Sequence, residues 1–397
     1  MSKKNYRPEI DGLRALAVIA VIVNHFNKDI LPSGYLGVDI FFVISGFVIT
    51  ASLAYREASS FFTFITGFYV RRVKRLVPAL IFCVVLTALI TCLVNPFPNV
   101  SINTGVTSLV GLSNIYLLRQ ATDYFGSSAE LNTFTQTWSL GVEEQFYFLF
   151  PVLVWMTGFS RHTKRGARNL FFVMTVFVLS SFCLFAYLSG QNPSAAYFLM
   201  PSRLWEMGSG CLLFLGLSKL PSAAVLSRWL KPELLIGCLI AAFFLPLSFQ
   251  VLATVLTVCV TSLLIVVIRP GTSAYRLLTL KPALFIGLIS YSLYLWHWSV
   301  LAISRWTIGI HWWSVPFQLG LMFLLAFLSY RYIESPLRHL RWSTNKVGGD
   351  NKLGDIRYAL LSSLLCAVLV FASARQYSSV KIQVVVSGMS EGISIRS

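Results

Sequence analysis

The chain has 397 residues, 56 % of them hydrophobic and only 12 % charged, whereas soluble domains carry about 25 % charged residues. That balance excludes a soluble enzyme and calls for a polytopic membrane protein. The apolar runs are too long for the alternating segments of an outer-membrane barrel, so the spans are helices. The net charge of +17 does not signal nucleic acid: there is no basic tail and no Gly-rich basic repeat.

The first run, residues 10–26 (IDGLRALAVIAVIVNHF), has the length of a membrane span. It nevertheless carries Asp11, Arg14 and His25. A charge at the centre of a span costs about 2.5–3.5 kcal/mol on insertion scales. Arg14 and His25 lie eleven residues apart. At about 100° per residue that returns to nearly the same helix face, roughly 16 Å along the axis. Asp11 shares that side, three residues before Arg14. One face thus presents an acid, a cation and an imidazole, and the other helices are expected to enclose it. Lys3, Lys4 and Arg7 precede the run as they would a signal peptide, but no small-x-small cleavage site follows Phe26, so a retained signal anchor is expected.

Counting this run as 10–27, eleven spans are expected, the others at about 35–55, 77–95, 138–157, 169–189, 197–217, 233–248, 250–268, 282–303, 313–333 and 357–375. The seventh and eighth are short and meet at Pro246–Leu247–Ser248, as a tight hairpin or tilted pair. The stretch 104–118 holds Ser108, Ser113 and Asn114 and reads as an interfacial or re-entrant piece of a long loop. With the N-terminus inside, the inner segments hold 23 of the 32 lysines and arginines and the outer segments 6, which fixes the orientation by the positive-inside rule. The C-terminus then falls outside. Most of the net charge is topology and contact with anionic lipid. The expected divisions are 1–338, a ten-span core; 339–356, a cytoplasmic linker; 357–375, the eleventh span; and 376–397, a short periplasmic tail. The seven cysteines all fall in apolar segments and none forms CxxC, so helix packing is their expected role.

Span direction gives depth. His25, Asp39 near the start of the second span, Trp138 with Glu143–Glu144 in the fourth, and His297 in the ninth all fall in the outer half. Proton transfer near neutral pH needs a base and a group to orient it, and His25 with Asp39 or Glu143 would supply both. His297, flanked by Trp296 and Trp298, reads more simply as part of an interfacial aromatic belt. On the inner side, Arg71, Arg72, Lys74 and Arg75 precede the third span, and Arg331, Glu334 and Arg338 end the tenth. Guanidinium forks suit phosphate oxygens, so a polyanionic cofactor can dock there; a plain positive-inside anchor is the simpler reading. No HExxH, P-loop, dinucleotide fingerprint or GxSxG elbow occurs.

Seven motifs in order, RPEIDGLRALAVIAVIVNHF, GYLGVDIFFVISGFVIT, FYVRRVKRLVPAL, WSLGVEEQFYFLFP, PSRLWEMGSG, SYSLYLWHW and YRYIESPLR, together resemble the acyltransferase type 3 family of bacterial membrane O-acyltransferases, which includes O-antigen O-acetylases. The resemblance covers the whole helical core. It implies an all-α, ten-helix core in the bacterial inner membrane that passes an acetyl group from cytoplasmic acetyl-coenzyme A to a hydroxyl of an O-antigen or other surface carbohydrate. Arg14 and His25 match the family's essential pair, Glu143 its invariant acid, and Arg71, Arg72 and Arg75 its arginine motif. On this reading His25, Arg14, Glu143 and Asp39 are catalytic. Arg71, Arg72, Arg75 and Arg14 bind the coenzyme, and Trp138, His297 and Glu206 meet the acceptor. The expected partners are acetyl-coenzyme A, the carbohydrate acceptor and membrane lipid, with a homo-oligomer allowed and neither metal nor nucleic acid. Longer members continue from an eleventh span into an outer SGNH-hydrolase-like domain, which this sequence lacks. The rival class is a transporter of an anionic or sugar-linked solute; the inverted repeats expected of one are not visible here.

Overall fold

A computed structural model describes residues 6–54, 60–120, 127–163, 165–217 and 229–339. All regular structure among these residues is helical. The expected eleventh span at 357–375, the tail at 376–397 and all but the first residue of the linker at 339–356 lie outside them.

The helices are α1 (Pro8–Phe26), α2 (Gly37–Ala54, entered through a 3-10 turn at Gly34–Leu36), α3 (Phe61–Val94), α4 (Asn99–Leu109), α5 (Ser113–Arg119), α6 (Ser127–Leu131), α7 (Trp138–Met156), α8 (Gly166–Gln191), α9 (Pro193–Phe198), α10 (Met200–Gly216), α11 (Pro232–Phe243), α12 (Gln250–Val267), α13 (Ser273–Leu278), α14 (Lys281–Trp306) and α15 (Val315–Ser329). The last runs on through a π turn at Tyr330–Glu334 into α16 (Ser335–His339). Each of the ten expected core spans has its helix. The stretch 104–118 becomes the ends of two short helices, α4 and α5, broken at Gly111, whose φ of 71° a glycine adopts without strain.

Among the described residues, six stretches are long and apolar enough to cross a bilayer: Gly34–Ala54, Phe61–Val94, Gly166–Gln191, Leu247–Val267, Lys281–Trp306 and Val315–Arg338. The other four of the ten expected core spans are polar or short. Helix α1 carries Glu9, Asp11 and Arg14, α7 carries Glu143 and Glu144, and α10 carries Arg203 and Glu206. The 12 residues of α11 rise only about 18 Å, against a hydrocarbon core of about 30 Å. Helix α3 corrects the sequence reading. Its 34 residues include Arg71, Arg72, Lys74 and Arg75, which were expected just before the span. Nothing between Phe61 and Leu76 interrupts the helix, and Pro78 is accommodated inside it.

The chain divides into two compact units, Met1–Phe68 with Val142–His297 and Tyr69–Gly141 with Trp298–Ser397. In the first, α10 packs between α2 and α8, and α1 packs on α2. Helices α2 and α10 approach at backbone distance. A Cβ on Gly46 would strike the Met207 carbonyl, and one on Gly210 the Val43 carbonyl. Small residues permit such close crossings in a medium where apolar burial gives little drive.

In the second unit, α14 holds residues 130–133 by four side chains. The indole N–H of Trp298 donates to the Asn132 carbonyl at 2.8 Å, and that of Trp306 to the Leu131 carbonyl at 2.8 Å. The Ser299 hydroxyl donates to the Thr133 carbonyl at 3.3 Å, and Arg305 pairs with Glu130 at 3.5 Å. The cysteines divide. Cys83 and Cys211 are packed inside as expected, whereas Cys183, Cys238 and Cys259 lie on exposed helix faces, a distinction that an apolar segment does not reveal.

Candidate active site

The first unit gathers most of the expected chemistry. His25 occupies the last turn of α1, which ends where the Asn27 N–H donates to Val23. The imidazole is 6 % exposed. Its Nδ1 lies 3.0 Å from Nε2 of His297. The ring planes differ by 5° with centroids 5.2 Å apart, an edge-on meeting. His297 is fully buried, and its Nδ1 lies 2.7 Å from the Tyr294 carbonyl oxygen one turn back on α14. One expectation is corrected here. His297 is not a belt residue at the membrane surface, because it has no exposed area. Its ring meets that of His25.

Glu143 on α7 accepts from the Ser45 hydroxyl of α2 at 2.9 Å and from the Tyr147 hydroxyl at 3.0 Å, one carboxylate oxygen to each. Tyr147 lies one turn along the same helix, where an i,i+4 pair meets.

Asp39 and Glu206 share one cation. Arg203 Nη2 donates to Asp39 Oδ1 at 2.6 Å. Arg203 Nη1 lies 2.7 Å from Glu206 Oε1, an ion pair without hydrogen-bond alignment. The three side chains are 3 %, 0 % and 0 % exposed. The guanidinium also lies 5.3 Å from the Tyr197 ring centre, 5.8 Å from that of Phe42 and 5.9 Å from that of Phe185, within cation–π range. Asp39 is therefore bound to the arginine of α10, and Glu206 faces the cation of its own helix. A buried guanidinium binds two carboxylates because an unpaired charge there is far more costly than a paired one.

At the other end of α1, Arg14 pairs with Asp11 at 3.5 Å, as the i,i+3 spacing predicts. The Tyr6 phenol donates to Asp11 at 2.7 Å. Partial burial, reinforced by that bond, pushes the phenol up to about 12.

In the second unit, Arg71, Arg72 and Arg75 lie half-buried along α3, and the Arg75 Nε is buried without a hydrogen-bond partner. Trp138, the first residue of α7 and expected to meet the acceptor, has no exposed surface. Among the described residues no group of three or more His, Cys, Asp and Glu is arranged to hold a metal.

Sequence reasoning gave no role to Ser45, Tyr147, Tyr294 or Arg203. Two of these had a signal: Tyr147 lies four residues after Glu143, and Arg203 three before Glu206, both same-face spacings on a helix. Ser45 and the Tyr294 carbonyl had none.

A helical membrane protein that buries an imidazole pair, with carboxylates held by hydroxyls and a guanidinium, has groups suited to proton transfer. Residues 7–332 match the family model described as the acyltransferase domain, and the chain belongs to that family. It is 32 % identical over 359 residues to the O-acetyltransferase OatA of Staphylococcus aureus, covering 85 % of this chain and 58 % of that protein. It is 30 % identical over 352 residues to the peptidoglycan O-acetyltransferase OatA of Listeria monocytogenes, covering 84 % and 56 %. With the putative peptidoglycan O-acetyltransferase YrhL of Bacillus subtilis it shares 29 % identity over 393 residues, covering 90 % and 61 %. The chain thus spans a little over half the length of these relatives. No solved structure matches it.

Proposed function

We propose that this chain is a membrane O-acyltransferase that passes an acetyl group from acetyl-coenzyme A, bound on the cytoplasmic side, to a carbohydrate hydroxyl outside. The observation that carries the reading is the buried His25–His297 pair within a domain of the acyltransferase family. An imidazole removes the proton from the attacking hydroxyl. The oxygen then bonds to the acetyl carbon, the carbon–sulfur bond breaks, and the departing thiolate takes up the proton. Glu143, held by Ser45 and Tyr147, is retained as a carboxylate of the site, whereas Asp39 is bound to Arg203. Arg14 holds the carrier arm or the oxyanion. Arg71, Arg72 and Arg75 take the coenzyme phosphates, for which guanidinium forks are suited. The relatives' names favour peptidoglycan as the acceptor over the O-antigen suggested by the family resemblance. The cation distribution favours the cytoplasmic membrane with the N-terminus inside.

The test is acetyl transfer by membranes holding the full chain, from labelled acetyl-coenzyme A to peptidoglycan and, in parallel, to O-antigen-bearing lipopolysaccharide. Label is expected in peptidoglycan. His25→Ala removes it, since general acid–base catalysis contributes about 10²–10⁴-fold. Arg71→Ala with Arg72→Ala raises the coenzyme KM and leaves insertion intact. Folded His25→Ala protein transferring at near wild-type rate overturns the mechanism. Label in lipopolysaccharide alone overturns the acceptor.

A further inference from the structure

We infer that His297 is a positioning residue that fixes the tautomer of His25, making Nε2 of His25 the basic atom. This rests on the acyl-transfer reading above for what the base is used for, but the tautomer itself follows from the hydrogen bonds.

The chain of protons starts at a group that cannot donate. The Tyr294 carbonyl oxygen accepts only, and His297 Nδ1 lies 2.7 Å from it, so that nitrogen carries the hydrogen. In a neutral imidazole the other nitrogen is then an acceptor. That nitrogen, His297 Nε2, lies 3.0 Å from His25 Nδ1. A hydrogen bond across this gap needs the proton on His25 Nδ1. With both rings neutral, the lone pair of His25 is left on Nε2. The edge-on, nearly coplanar meeting of the rings is the geometry this in-plane bond requires.

The arrangement resembles the support a catalytic imidazole receives from a carboxylate, with a neutral acceptor in the carboxylate's place. When His25 Nε2 takes the hydroxyl proton, the bond from Nδ1 to His297 becomes charge-assisted and strengthens. When Nε2 returns the proton to the departing thiolate, the pair is restored. His297 needs no contact with substrate to do this. The buried position of His297, on the helix that also supplies the Tyr294 carbonyl one turn earlier, makes the acceptor rigid.

The test reads the tautomer directly. The chain has five histidines, few enough to assign by single substitution in full-length protein labelled with 15N-histidine in lipid nanodiscs. His25 and His297 are both expected to carry hydrogen on Nδ1 and none on Nε2. In His297→Leu, His25 is expected to show both tautomers. The kcat for acetyl transfer falls on the order of 10²-fold, with the coenzyme KM unchanged. His297→Gln, whose amide oxygen can stand near the lost Nε2, restores the His25 tautomer and recovers roughly tenfold of the rate. A merely structural role for His297 would not move the tautomer. The inference is overturned if wild-type His25 carries its hydrogen on Nε2, if His297 is protonated on both nitrogens, or if His297→Leu leaves the tautomer of His25 unchanged. Should the leucine variant not fold, the wild-type and glutamine spectra decide. A wild-type chain with both rings in the expected tautomer but no acetyl transfer supports the ring assignment and overturns the acyltransferase reading instead.

Discussion

Arg203→Ala is the substitution that separates structure from chemistry most cleanly. It leaves Asp39 and Glu206, both fully buried, facing each other without their shared cation. Removing one partner of a buried ion pair costs about 3–5 kcal/mol, a drop of roughly 10²–10⁴ in the ratio of folded to unfolded protein. The three aromatic rings around the guanidinium add about 0.5–2 kcal/mol for each effective cation–π contact. Asp39→Asn keeps an acceptor for Arg203 and loses less. Replacing the whole group with Arg203→Met, Asp39→Leu and Glu206→Met removes the unpaired charges, and stability recovers most of the way, because apolar replacement of a buried ion network is often neutral. The assay is reversible unfolding in mixed micelles followed by tryptophan fluorescence, with acetyl transfer measured on each folded variant. An Arg203→Ala protein within about 1 kcal/mol of wild type would refute the stability argument. A folded Asp39→Asn protein as inactive as His25→Ala would return Asp39 to the reaction.

Two further outcomes are expected. Gly46→Val or Gly210→Val drives a side chain into a facing carbonyl and lowers stability by at least about 1–3 kcal/mol. Gly237→Ala, with nothing within 4 Å of the added carbon, is neutral or stabilising, and equal unfolding midpoints for all three would refute the close crossing of α2 and α10. Tyr147→Phe and Ser45→Ala each remove a donor to Glu143, a bond to a charged group worth about 1.5–3 kcal/mol. The double variant is expected to lower kcat by at least tenfold with little change in the coenzyme KM, and an unchanged kcat would remove Glu143 from the mechanism.

The sequence made the helices legible because burial in a bilayer writes itself as long apolar runs. The apolar signal is diluted at α1, α7 and α10, the helices that bear His25, Glu143 and Arg203, because the polar groups of a site lower it, yet their lengths were still legible. Intrahelical relations were readable: Asp11 with Arg14 was expected and is observed. Relations between helices were not. Depth placed His25, Asp39, Glu143 and His297 at one level, but depth leaves rotation about each helix axis undetermined. Rotation decides that Asp39 turns to Arg203 and His25 to His297. The α3 cations read as preceding the span, because a charge cluster beside an apolar run has the same composition whether or not the helix continues through it.

Asp39 and Arg203 are separated by 164 residues along the chain, and a growing chain reaches them at different times. At about 5–20 residues per second, the second helix enters the membrane on the order of ten to thirty seconds before its cation is made. During that interval the aspartate has only lipid, water at the membrane surface or the insertion machinery for company, at a cost of about 2.5–3.5 kcal/mol if it lies mid-bilayer. His25 waits longer still, 272 residues, for His297. These two polar contacts therefore close long after their first partner is made. A substitution there can reduce the amount of protein reaching the membrane before it alters any rate, so yield has to be measured alongside activity.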